Sequence, residues 1–241
     1  MDEKTHGIHE KRRGGIVITV DGPAGAGKST LARLLAETLG FVLLDSGALY
    51  RAMAVHLSAS GISPDTERVP DSALHRFSPK IITGPAHMAV YLDDEELGAR
   101  LRDEQVGNAA SRFSAKPEVR ASLLGIQRSV ADRFDVVAEG RDMGTVVFPD
   151  AAFKFFITAD LEERSRRRYR ELRDKGVAVD EPAVFSDMKA RDERDRARDE
   201  APLRPANDAY IIDSSTLPPN AVLKRVLEEV EPFLDKCYIQ R

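Results

Sequence analysis

At 241 residues, with 42% hydrophobic and 32% charged side chains, the chain is long enough for one sizeable α/β domain with a large buried core. A formal net charge of −4 argues against a general nucleic-acid binder, and no apolar run approaches the roughly 18 residues that a membrane span needs. The single cysteine, Cys237, excludes an intramolecular disulfide and fits a reducing, cytoplasmic setting.

Residues 1–14 are polar and lack an apolar centre, so they read as a disordered tail rather than a secretory signal. From 15 to 241 the pattern predicts a single domain. Residues 15–21 form a continuous apolar strand of the kind buried in a parallel sheet. Residues 30–40 carry Leu31, Leu34, Leu35 and Leu39 at a helical period, with Gly40 placed to end the helix. A short strand over 41–44 and a helix over 46–58 follow. From Gly61 to Leu97, β-like pieces at 80–83 and 87–92 separated by Gly and Pro predict a small, mostly antiparallel insert, within a substrate-binding insert over about 61–112. Beyond it come a helix over 116–133, strands over 134–138 and 153–158, charged helices over 161–175 and 181–197, a last strand over 209–213 and a closing helix over 219–236. Strands alternating with helices imply an α/β fold, a central parallel sheet flanked by helices.

Between the first strand and the first helix, Gly22-Pro23-Ala24-Gly25-Ala26-Gly27-Lys28-Ser29 satisfies G-x-x-x-x-G-K-[ST] in the structural context that the motif requires. The glycines let the backbone curl so that N–H groups face phosphate oxygens. The helix that begins near Thr30 adds the positive end of its dipole. Lys28 is expected to reach the β- and γ-phosphates and the Ser29 hydroxyl to bind Mg²⁺. A nucleoside triphosphate with Mg²⁺ is therefore the expected ligand of a P-loop core. The Asp-x-x-Gly and Asn-Lys-x-Asp signatures of a GTPase switch are absent. The strand ending Glu139-Gly140-Arg141-Asp142 sets an arginine among acids beside the phosphate loop, which favours an anionic acceptor.

Two segments are arginine-rich. Residues 161–173 hold six arginines and residues 191–204 hold five. Most of these fit a solvated helix face with i,i+4 pairs such as Glu163 with Arg167. A nucleic-acid patch is weakened by the interleaved acids and the lack of aromatics for stacking. The functional reading is a mobile lid over about 161–201 that closes on a phosphate site and excludes water. Arg191, Asp195 and Arg198 share one helix face.

Five segments, DGPAGAGKST, LLDSGALYR, NAASRFSAKPEVR, AEGRDMGTVVFPDA and RDERDRARDEAPL, together resemble the bacterial cytidylate kinase family, the CMP/dCMP kinases, from about Gly15 through the closing helix. The loop reads Lys-Ser-Thr where several members read Lys-Gly-Thr, and the tail has no counterpart. The resemblance implies transfer of the γ-phosphoryl of ATP to CMP or dCMP, with Lys28, Arg141 and Arg198 catalytic. It places Ser46, Tyr50 and Arg51 at the acceptor monophosphate, with Arg51, Arg141 and Arg198 on its phosphate. Base selection falls to Ser111, Arg120 and Asp142, and the sugar hydroxyls to Arg191 and Asp195. The chemistry agrees: an Asp carboxylate accepts from the cytosine N4 amine and an Arg donates to N3 and O2, whereas O4 of uracil would face the carboxylate. All five histidines read as structural or solvated. The expected partners are the small molecules ATP and CMP or dCMP, with no nucleic acid and no membrane, and a monomer is expected. Outside this reading stand another nucleoside monophosphate or metabolite kinase and a nucleotide-gated P-loop protein without turnover.

Overall fold

The computed structural model describes residues 15–239; the sequence-predicted tail over 1–14 lies outside the described residues. Five parallel strands, β1 (Val17–Asp21), β2 (Val42–Asp45), β6 (Val136–Glu139), β7 (Phe153–Thr158) and β8 (Tyr210–Asp213), form one sheet in the order β2-β6-β1-β7-β8. Ile18, paired with Val137 on one side and Phe153 on the other, sits fully buried at its centre. Strands flanked on both faces need the continuous apolar runs that β1 and β6 show.

Each face has its own core. On one face α2 (Ser46–Ala59), α4 (Glu104–Phe113) and α5 (Pro117–Ala131) bury Leu49, Met53, Phe113 and Leu123 against Val136 and Ala138. On the other, α1 (Lys28–Leu39) and α8 (Pro219–Ile239) bury Leu31, Leu35, Val226 and Val230 against Ile18, Phe155 and Ile157. A third, small cluster of Leu172, Val184 and Met188 joins α6 (Leu161–Asp174) to α7 (Glu181–Arg196) and reaches Ala24 of the phosphate loop.

The segment after α2 holds an antiparallel sheet, β3 (Lys80–Gly84), β4 (His87–Leu92) and β5 (Glu95–Glu96). These strands are the antiparallel pieces anticipated within 61–97. The segment also contains α3 (Asp71–His75), a 3₁₀ turn at Gly98–Arg102 and α4, for which no helix was anticipated. Helix α4 starts where the Asp103 carboxylate accepts the N–H of Gln105 at 2.7 Å, an N-cap. Its apolar residues Val106, Ala109, Ala110 and Phe113 recur at a helical period and pack on the core that α4 shares with α2 and α5. Elsewhere the boundaries moved by a residue or two: α1 begins at Lys28 rather than Thr30, and β2 is Val42–Asp45 rather than 41–44. Among the described residues no helix is long and apolar enough to cross a membrane.

Candidate functional site

The carboxyl ends of β1, β2 and β6 open into a cleft of about 930 Å³, the place where open parallel sheets bind ligands. At its floor the phosphate loop folds over the start of α1, and Lys28 Nζ donates to the Pro23 carbonyl at 2.7 Å. Two further carbonyls of the loop are held from outside. Arg164 donates to Ala24 O at 3.0 Å and the Ser214 hydroxyl to Ala26 O at 2.9 Å. Gly25 has φ of 74°, and a Cβ there would stand 2.9 Å from Met188 Cε and 3.2 Å from the Arg164 carbonyl oxygen, so α6 and α7 pack on the loop only because it is glycine. Burial lowers the Lys28 pKa to about 7, and the nearby Arg141 charge adds to the effect. Gly22, Pro23, Ala26 and Gly27 complete the curl, and Ser29 and Thr30 line the cleft.

The Ser29 hydroxyl donates to Glu139 Oε1 at 2.8 Å. Burial raises the Glu139 pKa, with Asp45 the next contributor. A hydroxyl beside a buried, desolvated carboxylate is a set of hard oxygen donors that fits Mg²⁺, which uses one or two protein oxygens and fills its octahedron with phosphates and water. Among the described residues there is no group of three or more His, Cys, Asp or Glu that could hold a metal by itself.

Opposite the loop, Asp45 caps α2 by accepting the Ala48 N–H at 3.0 Å. The first turns of that helix bring Ser46, Tyr50 and Arg51 to the cleft. Tyr50 is buried, its pKa pushed up to about 12 by desolvation, and the Arg120 guanidinium lies 5.6 Å from its ring centroid. Arg120 also donates to the Ser114 carbonyl and forms a buried ion pair with Asp142. Ser111, one α4 turn away, lines the same wall with a buried hydroxyl that has no partner among the described residues. The three residues anticipated to read the base thus share one wall, on which Asp142 is also paired with Arg120.

Helix α7 closes the remaining side. Asp195 is fully buried between Arg141, whose Nε is 3.0 Å from Oδ2, and Arg198, which pairs with Oδ1. Burial works to raise the Asp195 pKa, but Arg141 and Arg198 together hold it below the usual carboxylate range. Arg198, just beyond the end of α7, additionally donates to Ser114 Oγ at 2.9 Å, joining the segment after that helix to the wall of Arg120 and Asp142. Arg191 is short of counter-charge: burial, then repulsion from Arg141, lowers its pKa to about 10. All the anticipated site residues therefore line one cleft except Gly22, Pro23 and Ala26, which shape the loop beneath it.

Three functional features escaped the sequence reading. Arg164 and Asp192 form a buried ion pair at 2.7 Å between α6 and α7. Arg168 lines the cleft and pairs with Glu104 of α4, bridging the two sides of its mouth. Arg167 donates to the carbonyls of Ser214 and Ser215 beside the loop. The Glu163–Arg167 pair expected on the helix face is present at 3.0 Å, but the cross-element contacts of Arg164, Arg167 and Arg168 carry no local pattern.

A family model described as cytidylate kinase matches residues 18–232. The chain belongs to the cytidylate kinase family. It is 46% identical to the cytidylate kinase of Vibrio cholerae over 218 residues, covering 90% of this chain and 97% of that protein. The enzymes of Pasteurella multocida (42% identical; 91% of this chain, 97% of that one) and Aeromonas salmonicida (43%; 90% and 95%) match over the same extent. Membership spans the phosphate loop, both walls of the cleft and the α6–α7 pair.

Proposed function

We propose that the protein transfers the γ-phosphoryl group of ATP to CMP or dCMP, giving ADP and CDP or dCDP. One observation carries the reading. A single cleft is lined by the phosphate loop, by the Arg120–Asp142 pair and by further arginines, among them Arg51, Arg141, Arg191 and Arg198. That arrangement suits two anionic nucleotides held end to end.

The acceptor phosphate has a second pKa of about 6, so at neutral pH the nucleophile is already an anion and needs no general base. No histidine is among the residues that line the cleft. Its task is to hold two mutually repelling polyanions in line and to neutralise the transferring group. Lys28 binds the donor's β- and γ-phosphates. Arg51, Arg141 and Arg198 bind the acceptor phosphate, and Asp195 orients Arg141 and Arg198 for that purpose. Arg191 and Asp195 meet the sugar hydroxyls. Ser29, with Glu139 behind it, would hold Mg²⁺, which when bound neutralises charge on the β- and γ-oxygens. The Asp142 carboxylate has lone pairs left after its pairing with Arg120. It accepts from the cytosine N4 amine while Arg120 donates to the ring, and Ser111 supplies a third polar contact. Helices α6 and α7 act as a lid that keeps water from competing with the acceptor.

The test is a coupled ADP-release assay with ATP, Mg²⁺ and CMP, dCMP, UMP, AMP, GMP or dTMP as separate acceptors. Fast turnover with CMP and dCMP, slow turnover with UMP and none with the others is expected. Preference for another monophosphate would keep the kinase and discard Ser111, Arg120 and Asp142 as base readers. Absence of acceptor-dependent turnover would remove the proposal.

A further inference from the structure

One buried carboxylate at the site takes no part in the mechanism above. Asp21 ends β1, immediately before the first glycine of the phosphate loop, and is only 5% exposed. It is not among the residues that line the cleft. Its Oδ1 accepts the N–H of Met143 at 2.8 Å and its Oδ2 the N–H of Gly144 at 2.7 Å. These two N–H groups open the five-residue π-helical turn Met143–Val147, and the first N–H groups of a helical turn have no partner within it. The residues immediately before the turn are Arg141 and Asp142.

The same turn is gripped elsewhere. A Cβ on Gly144 would stand 2.8 Å from Thr19 Oγ1 and 3.2 Å from Lys154 Cγ, so the turn rests directly on β1 and β7. At its far end Arg128 of α5 donates to the Val147 carbonyl at 2.9 Å. At the end that carries the cleft residues Asp21 bonds the turn from the strand that leads into the loop, next to the Gly140 N–H that donates to Val20 O at 3.1 Å. One carboxylate therefore ties the donor loop's root to the segment bearing Arg141 and Asp142.

We propose that Asp21 is a positioning residue for the acceptor: it sets where Arg141 and Asp142 stand relative to the phosphate loop. It therefore governs both in-line geometry and the choice of cytosine over uracil. The inference rests on the proposed cytidylate kinase reaction. An asparagine at 21 keeps the shape but has one acceptor oxygen; its NH₂ would face one of the two N–H groups, donor against donor. The turn must then shift, and a displacement of about 1 Å at such a site costs on the order of 10²-fold in rate.

The test compares wild type with Asp21→Asn by steady-state kinetics with CMP and UMP and by ADP titration calorimetry. In the variant, kcat/KM with CMP is expected to fall by about 10²-fold, with a clear drop in the CMP-to-UMP ratio and ADP affinity held within about threefold, since Lys28 and the loop carbonyl contacts are untouched. An unchanged ratio in a folded variant overturns the proposal. So does a loss of ADP binding that matches the loss of CMP turnover, because Asp21 would then shape only the donor loop. If the variant does not fold, hydrogen exchange on wild type decides. The Met143 and Gly144 amides are expected to be protected without CMP, and protection that appears only when CMP is added refutes a preset turn. Failure of the wild type to phosphorylate CMP would instead defeat the proposed reaction, and is read in the same series.

Discussion

Replacing Asp192 by alanine tests whether a buried charge pair holds the lid to the donor loop. Arg164 and Asp192 are 3% and 5% exposed, with 2.7 Å between Arg164 Nη2 and Asp192 Oδ2. The guanidinium also donates to Ala159 O at 2.8 Å and to Ala24 O at 3.0 Å, so one side chain touches α7, the base of α6 and the phosphate loop. Removing the carboxylate leaves a buried cation with two neutral carbonyls, and breaking a buried pair in this way costs about 3–5 kcal/mol. Against this, the apolar docking of α7 rests on Val184 and Met188 with Leu172, and burying three such side chains contributes about 5–9 kcal/mol in all. The substitution therefore removes a large part of what keeps α7 in place. At 1.4 kcal/mol per factor of ten, it raises the open population by about 10²-fold or more. Hydrogen exchange across Glu181–Arg196 should quicken accordingly, while the central strands exchange as before. Because Arg191 and Asp195 ride on the same helix, KM for CMP should rise with it. The paired replacement Arg164→Met with Asp192→Leu, which leaves no charge unmatched, should recover most of the protection. Exchange in α7 within twofold of wild type for Asp192→Ala would refute the reasoning.

Other expectations follow from the cleft's charges. Under the proposed function, Arg141→Ala removes a guanidinium assigned to the acceptor phosphate while Arg198 still pairs with Asp195; by analogy with arginine fingers turnover should fall about 10³-fold or more, and steady-state rates within a few-fold of wild type would remove Arg141 from the role. Lys28, with its pKa lowered to about 7 in the free protein, should regain its proton when a polyphosphate arrives. Binding of ADP at pH 8 without Mg²⁺ should therefore take up a proton, detectable by calorimetry in buffers of different ionisation enthalpy, and be independent of buffer in Lys28→Met. Asp21 titrates near 7 in the folded chain, against 3.8 for the free side chain, because burial outweighs its two N–H bonds; Asp142 and Lys28 are its nearest charged neighbours. A raised carboxyl pKa stabilises the fold at low pH, and that contribution is lost as pH rises through about 4 to 7. The urea stability of wild type should therefore decline across that window relative to Asp21→Asn, by up to about 4 kcal/mol, and parallel curves would show that Asp21 is not held protonated.

The parts of the site that the sequence displayed are those whose partners are close in the chain. The phosphate loop is eight consecutive residues whose glycines, lysine and serine each have a geometric duty. Arg191 and Asp195 reveal themselves by helical spacing, whereas Arg198 lies beyond the end of α7 at Arg196 and reaches Asp195 from the segment that follows, not from the same helix face. The strands of the main sheet were legible because both faces are covered, which leaves apolar runs in β1 and, broken only by Lys154, in β7. Helix α4 was legible too, in the helical spacing of Val106, Ala109, Ala110 and Phe113, but was not anticipated. Asp21 looked like the polar end of a strand, because its partners lie more than a hundred residues on. Arg164 and Asp192 were hidden in plain view among the lid's charges. Of two arginine-rich helices, only the fold tells which guanidinium turns inward: Arg166 pairs with Glu163 at the surface, while Arg164, two residues earlier, is buried.

That distribution of charge also explains why the cleft is costly to the protein and useful to the reaction. In the free chain Lys28 and Arg191 are pushed toward losing their protons, and Glu139 and Asp21 toward keeping theirs. Burial is the largest influence on all four. Each group sits where its charge is poorly solvated, a local sacrifice of stability of the kind that functional sites impose. A bound polyphosphate reverses the balance for the cations, and a shared divalent ion would do so for Glu139. The arginines on the acceptor side are treated differently. Arg141 and Arg198 are held by Asp195, and Arg120 by Asp142, so their directions are set before any nucleotide arrives, which is the condition for electrostatic stabilisation without reorganisation. The two arrangements divide the work. Unmatched cations at the donor loop and on Arg191 supply attraction that is realised only on binding, and paired arginines supply aim. Exchanging the two, by giving Lys28 a carboxylate partner or depriving Arg141 of Asp195, would weaken attraction in the first case and geometry in the second.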